Sequence, residues 1–145
     1  MTTTTRSSPR AAWRIFDTTL HRLRKLLGGD FVQLTNGGLS IDRTRCFVDA
    51  WSFVSLAERA ERRLSKNGGV AGTGEARTLF DEALRLYQGH FLPDEDDVPF
   101  VIRYRDRLRG RLVRLVGAFS GTEIPDDLPS ETRALYQQVR REIQT

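Results

Sequence analysis

The chain of 145 residues holds a single cysteine, Cys46. One thiol forms no intramolecular disulfide, and such economy fits a reducing, cytoplasmic setting. No apolar run approaches the roughly 18 residues a membrane-spanning helix needs, so no membrane partner is expected. The opening MTTTTRSSPR lacks the apolar core of a secretory signal, and residues 1–9 read as a disordered leader. Histidine is scarce too: His21 and His90 lie far apart, with no neighbouring cysteine or second histidine, which gives zinc no support. The acidic run at 94–97, DEDD, lacks the alternating Asp/Asn spacing and central glycine of a calcium loop. It reads as a solvated loop that places negative charge near the N-terminus of the next helix. There is no nucleophile–base motif, phosphate loop or metal-ligand cluster, so neither an enzyme nor a cofactor is expected.

What the chain does have is cationic charge in one place. The net charge is +4. Residues 1–30 carry six Arg/Lys against Asp17 and Asp30, whereas residues 31–145 carry seventeen of each sign. The whole bias therefore sits in the leader and the stretch that follows it. A basic patch steers a protein toward a polyanion and makes that binding fall with salt, although a solvated charged face looks the same in sequence.

That stretch is RAAWRIFDTTLHRLRKLL, Arg10–Leu27. At 3.6 residues per turn Trp13, Phe16, Leu20, Leu23 and Leu27 share one side of a helix. Arg10, Arg14, Thr18, His21, Arg22 and Lys25 share the other. Ser8 is a candidate N-cap before Pro9, and Gly28-Gly29 a C-terminal stop. Arg22, Arg24 and Lys25 also suit the negative end of the helix dipole, a structural reason for them to be there. Next, Phe31–Leu34 and Leu39–Ile41 are short β-type runs around Asn36-Gly37, a strong hairpin signal; so small a ribbon must pack on the preceding helix.

From Asp49 the pattern is helical. Asp49 is read as the cap of a helix to about Lys66, with Phe53, Leu56, Ala60 and Leu64 along one side and Trp51 as an interhelix anchor. A Gly-rich loop at 67–74 precedes a helix over Glu75–Gln88, which Gly89 ends. Pro99–Phe119 is a long helix with Val101, Tyr104, Leu108, Leu112, Leu115 and Phe119 as its seam. Its arginines at 103, 105, 107, 109, 111 and 114 spread round the helix and are read as solvated or ion-paired. Ser130 is read as the cap of a last helix to about Ile143. Helices of this length joined by short loops form antiparallel hairpins, TPR-like in architecture although no 34-residue period is present.

Two blocks carry a family resemblance. RIFDTTLHRLRKLLGGDFVQLTNGGLSID resembles the recognition helix and wing of the OmpR-type winged helix. FVDAWSF, EALRLYQGHFLPDEDD and YRDRLRGRLVRLV resemble the bacterial transcriptional activator domain of SARP-type regulators, in the same order over about residues 10–120. The resemblance implies a partial winged helix over 10–45 followed by a TPR-like activator domain over 46–145, mainly α in class. It implies a transcriptional regulator that binds DNA, with the helical module serving a protein partner or homodimer. By residue it places Arg14, Asp17, Thr18, Thr19, Arg22 and Arg24 toward DNA. Arginine can read guanine and aspartate can accept from cytosine, while His21 and Lys25, with Arg10 on the same basic face, suit phosphate.

The chain also departs from the family. Only MTTTTRSS stands where that winged helix has a sheet and two helices, which implies half a DNA-binding domain, and the hairpin tip Thr35–Gly38 carries no basic residue. An alternative follows: a truncated protein-interaction module that does not bind DNA and pairs with itself or another regulator.

Overall fold

A computed structural model describes residues 9–29, 31–69 and 74–145. Residues 1–8 of the expected leader, with the Ser8 cap, lie outside the described residues, as do residues 70–73 of the Gly-rich loop, while Pro9 opens the first helix. Among the described residues five helices and one hairpin follow in order: α1 Pro9–Leu27, β1 Val32–Thr35, β2 Gly38–Ile41, α2 Asp49–Lys66, α3 Glu75–Leu86, α4 Pro99–Ala118 and α5 Ser130–Gln144. The protein is thus mainly helical with a small two-stranded antiparallel sheet. The chain divides into two units, Met1–Phe47 and Val48–Thr145.

In the first unit α1 stops where glycine allows it. Gly28 and Gly29 both take positive φ, and both of their N–H groups donate to the Arg24 carbonyl, at 3.1 and 2.8 Å. The hairpin turns at Asn36 and Gly37, with φ of 53° and 76°. Two consecutive left-handed residues make the turn whose twist matches that of the flanking strands. The register pairs Val32 with Ile41 and Leu34 with Leu39. Alternation along each strand then puts these four apolar side chains on one face of the ribbon.

The second unit is built round α2 and α3. Ala57 and Ala60 on α2 and Ala76 and Ala83 on α3 are fully buried, and their small side chains let the two backbones approach closely. The pair is antiparallel: Arg63 near the end of α2 meets Glu75 at the start of α3 at 3.0 Å. At the other end the rings of Phe53 and Tyr87 lie 5.0 Å apart. Phe80 stacks on Phe119 at 4.5 Å and meets Tyr136 edge-on at 6.5 Å, so one α3 ring joins the end of α4 to the middle of α5. Leu108, Leu112, Leu115 and Val116 complete the core from α4.

Several boundaries differ from the sequence reading. Asp49 is not the N-cap of α2: the cap residue is Val48, and Asp49 opens the helix, its Oδ1 accepting from the Ala50 N–H at 2.7 Å. Ser130 likewise lies inside α5, after the cap residue Pro129. Its hydroxyl donates to the Glu131 carboxylate at 3.0 Å, which helps hold that carboxyl below its usual range. α3 ends at Leu86, two residues early. There Tyr87 turns its ring onto Phe53 and gives its carbonyl to the buried Thr132 hydroxyl at 3.2 Å. Tertiary contacts outweigh the continuing helical pattern. Burial also pushes the Tyr87 phenol up from its ordinary pKa. The same junction is braced by Arg85, whose two hydrogen bonds to Asp127 hold that carboxyl below its usual range.

Candidate nucleic-acid interface

The basic helix stands open to solvent. Arg10, Arg14, Asp17, Thr18, Thr19, His21, Arg22 and Lys25 are all exposed, and Arg24 is half-buried. A regular helix turns about 100° per residue. On that wheel Arg10, Arg14, Thr18, His21 and Lys25 form one row, with Arg22 at its edge and Asp17 on its other flank. The row climbs about 22 Å from Arg10 to Lys25 at 1.5 Å per residue. Asp17 beside four cations weakens attraction for phosphate locally and leaves one acceptor able to meet a base amino group.

Three side chains have a different position from their neighbours. Thr19 falls about 180° from Arg10 on the same wheel, away from the row. The Thr18 hydroxyl donates to the Arg14 carbonyl one turn back, at 2.8 Å, so it faces outward only as an acceptor. Arg24 donates from its guanidinium to the Val32 carbonyl at 3.1 Å. That bond pins the end of α1 to the start of the hairpin and gives Arg24 a structural role in holding the two elements together.

At the hairpin's far side Asp42 closes a turn. It accepts from the Thr44 hydroxyl at 2.7 Å and the Thr44 N–H at 2.9 Å, bonds that lower its carboxyl pKa. Arg45 sits 3.7 Å from the same carboxylate. The tip, Thr35–Gly38, is exposed and uncharged.

The apolar side of this unit is largely uncovered, as half a winged helix would leave it. Of the seam Trp13, Phe16, Leu20, Leu23 and Leu27, Leu20 alone is buried, and Trp13 is 61% exposed. Within the hairpin face Val32 is buried while Leu34, Leu39 and Ile41 remain exposed. Trp13 and Phe16 meet edge to face at 5.9 Å and, with Ala12, Leu34, Gly37 and Leu39, line an open apolar cleft of about 320 Å³. The sequence pattern located the seam, and half a winged helix implied that most of its cover would be lacking. The pattern missed Ile15 and Leu26, 67% and 82% exposed, which belong to neither the basic row nor the seam. Their offset of eleven residues, three turns, was the signal that could have shown them as a second apolar strip.

Among the described residues no group of three or more His, Cys, Asp or Glu is arranged to hold a metal, and no helix is long and apolar enough to cross a membrane. The acidic loop before α4 is held from within: Arg105 donates to Asp96 at 2.8 Å and to the carbonyls of Phe91, Leu92 and Glu95. Leu92 in that loop has φ of +42°, an uncommon conformation for a residue with a branched side chain. No protein-family model, curated protein or solved structure matches the chain.

Proposed function

We propose that the chain is a regulator of transcription that lays the Arg10–Lys25 face of α1 against DNA, with the hairpin as its wing. On this reading residues 10–45 correspond to the second half of an OmpR-type winged helix. Residues 46–145 correspond to the TPR-like activator domain of SARP-type regulators and supply contacts to a protein partner or a second copy. The observation that carries it is the exposed row of Arg10, Arg14 and Lys25, with His21 among them, on a helix pinned by Arg24 to a type I′ hairpin. Cations in a line neutralise successive phosphates, and arginines beside Asp17 supply groups able to read base edges.

A gel-shift assay over a salt series tests it. Arg14→Ala/Arg22→Ala/Lys25→Ala is expected to flatten the dependence of log K on log salt by about one unit for each phosphate no longer neutralised. Binding that is absent, or salt-insensitive and unchanged in the variant, overturns the reading.

The uncovered apolar face of Trp13, Leu34 and Leu39 favours a second reading, an interaction module that pairs with itself or another regulator without binding DNA. Light scattering checks it, and a clean monomer at high concentration counts against self-pairing.

A further inference from the structure

Charge balance over Val48–Thr145 hides an imbalance on α2. Two of its three acids lean toward α4, where Arg111 reaches Glu58 at 3.2 Å and Glu61 at 3.7 Å with its own side chain only 14% exposed. The cations of α2 stay outside. Arg59, Arg62, Arg63 and Lys66 are all exposed, and their spacing of three, one and three residues sets them in one stripe. Arg63 is paired with Glu75 at 3.0 Å, and Arg62 comes only within 3.9 Å of Glu58. Arg59 and Lys66 have no ion-pair partner among the described residues. Together with Glu75 the four cations line a cleft of about 230 Å³. Arg63 and Lys66 stand in the last turn, where the helix dipole by itself favours positive charge. Arg59 and Arg62 stand before that turn, and the dipole supplies no reason for them.

We propose that this stripe is a second nucleic-acid contact, which grips the phosphate backbone and does not depend on α1. From Arg59 to Lys66 the helix rises about 10 Å, enough to follow about three phosphates of one strand. Arginine suits the task because its planar fork gives two parallel hydrogen bonds to one phosphate. No aromatic or amide side chain lies in the stripe, so the contact positions the protein without reading sequence. An anionic lipid surface fits less well. A helix that lies on a membrane needs a free apolar face beside its cations, whereas the apolar face of α2, with Phe53, Ala57, Ala60 and Leu64, is buried in the core.

The test is binding of the full chain to a random-sequence DNA duplex, followed by anisotropy between about 50 and about 200 mM salt. Arg59→Gln/Arg62→Gln/Lys66→Gln is expected to lower the salt slope by roughly two to three units with an unchanged thermal midpoint. Arg59→Lys/Arg62→Lys should keep the slope, since the charge remains. If the triple variant fails to fold, Arg59→Gln alone must lower the slope by about one unit. An unchanged slope in a folded variant overturns the proposal, as does binding to phosphatidylserine vesicles with none to DNA. Failure here is distinguishable from failure of the α1 reading: a loss confined to Arg14→Ala/Arg22→Ala/Lys25→Ala removes the stripe, and a loss confined to the stripe variants removes the α1 site.

Discussion

The two units of this chain divide burial and charge in opposite ways. Residues 1–47 carry eight Lys/Arg against three Asp/Glu, and Leu20 and Val32 are their buried hydrophobic residues among those described. Residues 48–145 carry fifteen against sixteen and, among those described, bury eighteen side chains in one core cluster. Where a core exists, seven of its fifteen cations are drawn into ion pairs among the described residues, including Arg77 with Asp81, Arg105 with Asp96, Arg109 with Glu142 and Arg111 with Glu58. Where it does not, cations and apolar side chains both face outward. Exposed charge in the first unit thus has fewer structural duties to explain it, and a ligand is the more economical account there. In the second unit each cation must first be cleared of a structural role, as Arg59 is, with no ion-pair partner among the described residues and a place before the last turn of α2.

The contrast breaks most visibly in the core. Phe80→Ala removes the ring that stacks on Phe119 and touches Tyr136, and should cost about 3–5 kcal/mol in a urea melt followed by circular dichroism. A smaller effect is expected at the acidic loop. Arg105→Ala strips donors from three carbonyls and a carboxylate, and should cost about 1–2 kcal/mol. Hydrogen exchange should then quicken over residues 91–98 while α3 stays protected. Least of all, Trp13→Ser should cost under about 1 kcal/mol, because the ring is mostly in solvent and meets Phe16 only edge to face. If Trp13→Ser proved as damaging as Phe80→Ala, the first unit would have a core after all and the comparison would fall.

The helical periodicity and the turn chemistry could be read from sequence. Asn36-Gly37 announced the hairpin because few other pairs accept two left-handed residues in succession, and the glycines after Leu27 and Lys66 marked real ends. The seam of α4 was legible because Leu108, Leu112 and Leu115 repeat at helical intervals. What escaped depended on neighbours distant in the chain. The early end of α3 follows from Phe53 and Thr132, thirty-four and forty-five residues away from Tyr87. The role of Arg24 follows from a carbonyl eight residues on. The arginines of α4 were expected to be solvated or ion-paired, but which of them meet which acids required the fold: Arg111 turns inward to α2, while Arg103 and Arg107 stay exposed. The stripe on α2 was hidden by averaging, since four cations and three acids on one helix look balanced until Glu58 and Glu61 are seen to face another helix.

The two tryptophans fall one to each unit. Trp13 stands in the first, largely in water, and Trp51 in the second, half-buried on α2. Each unit therefore holds its own optical reporter. The emission of Trp13 should lie toward the red and be quenched readily by iodide, and that of Trp51 toward the blue and be sheltered. Whatever covers the α1–hairpin face will shift the first signal and leave the second in place, without a dye or a tag.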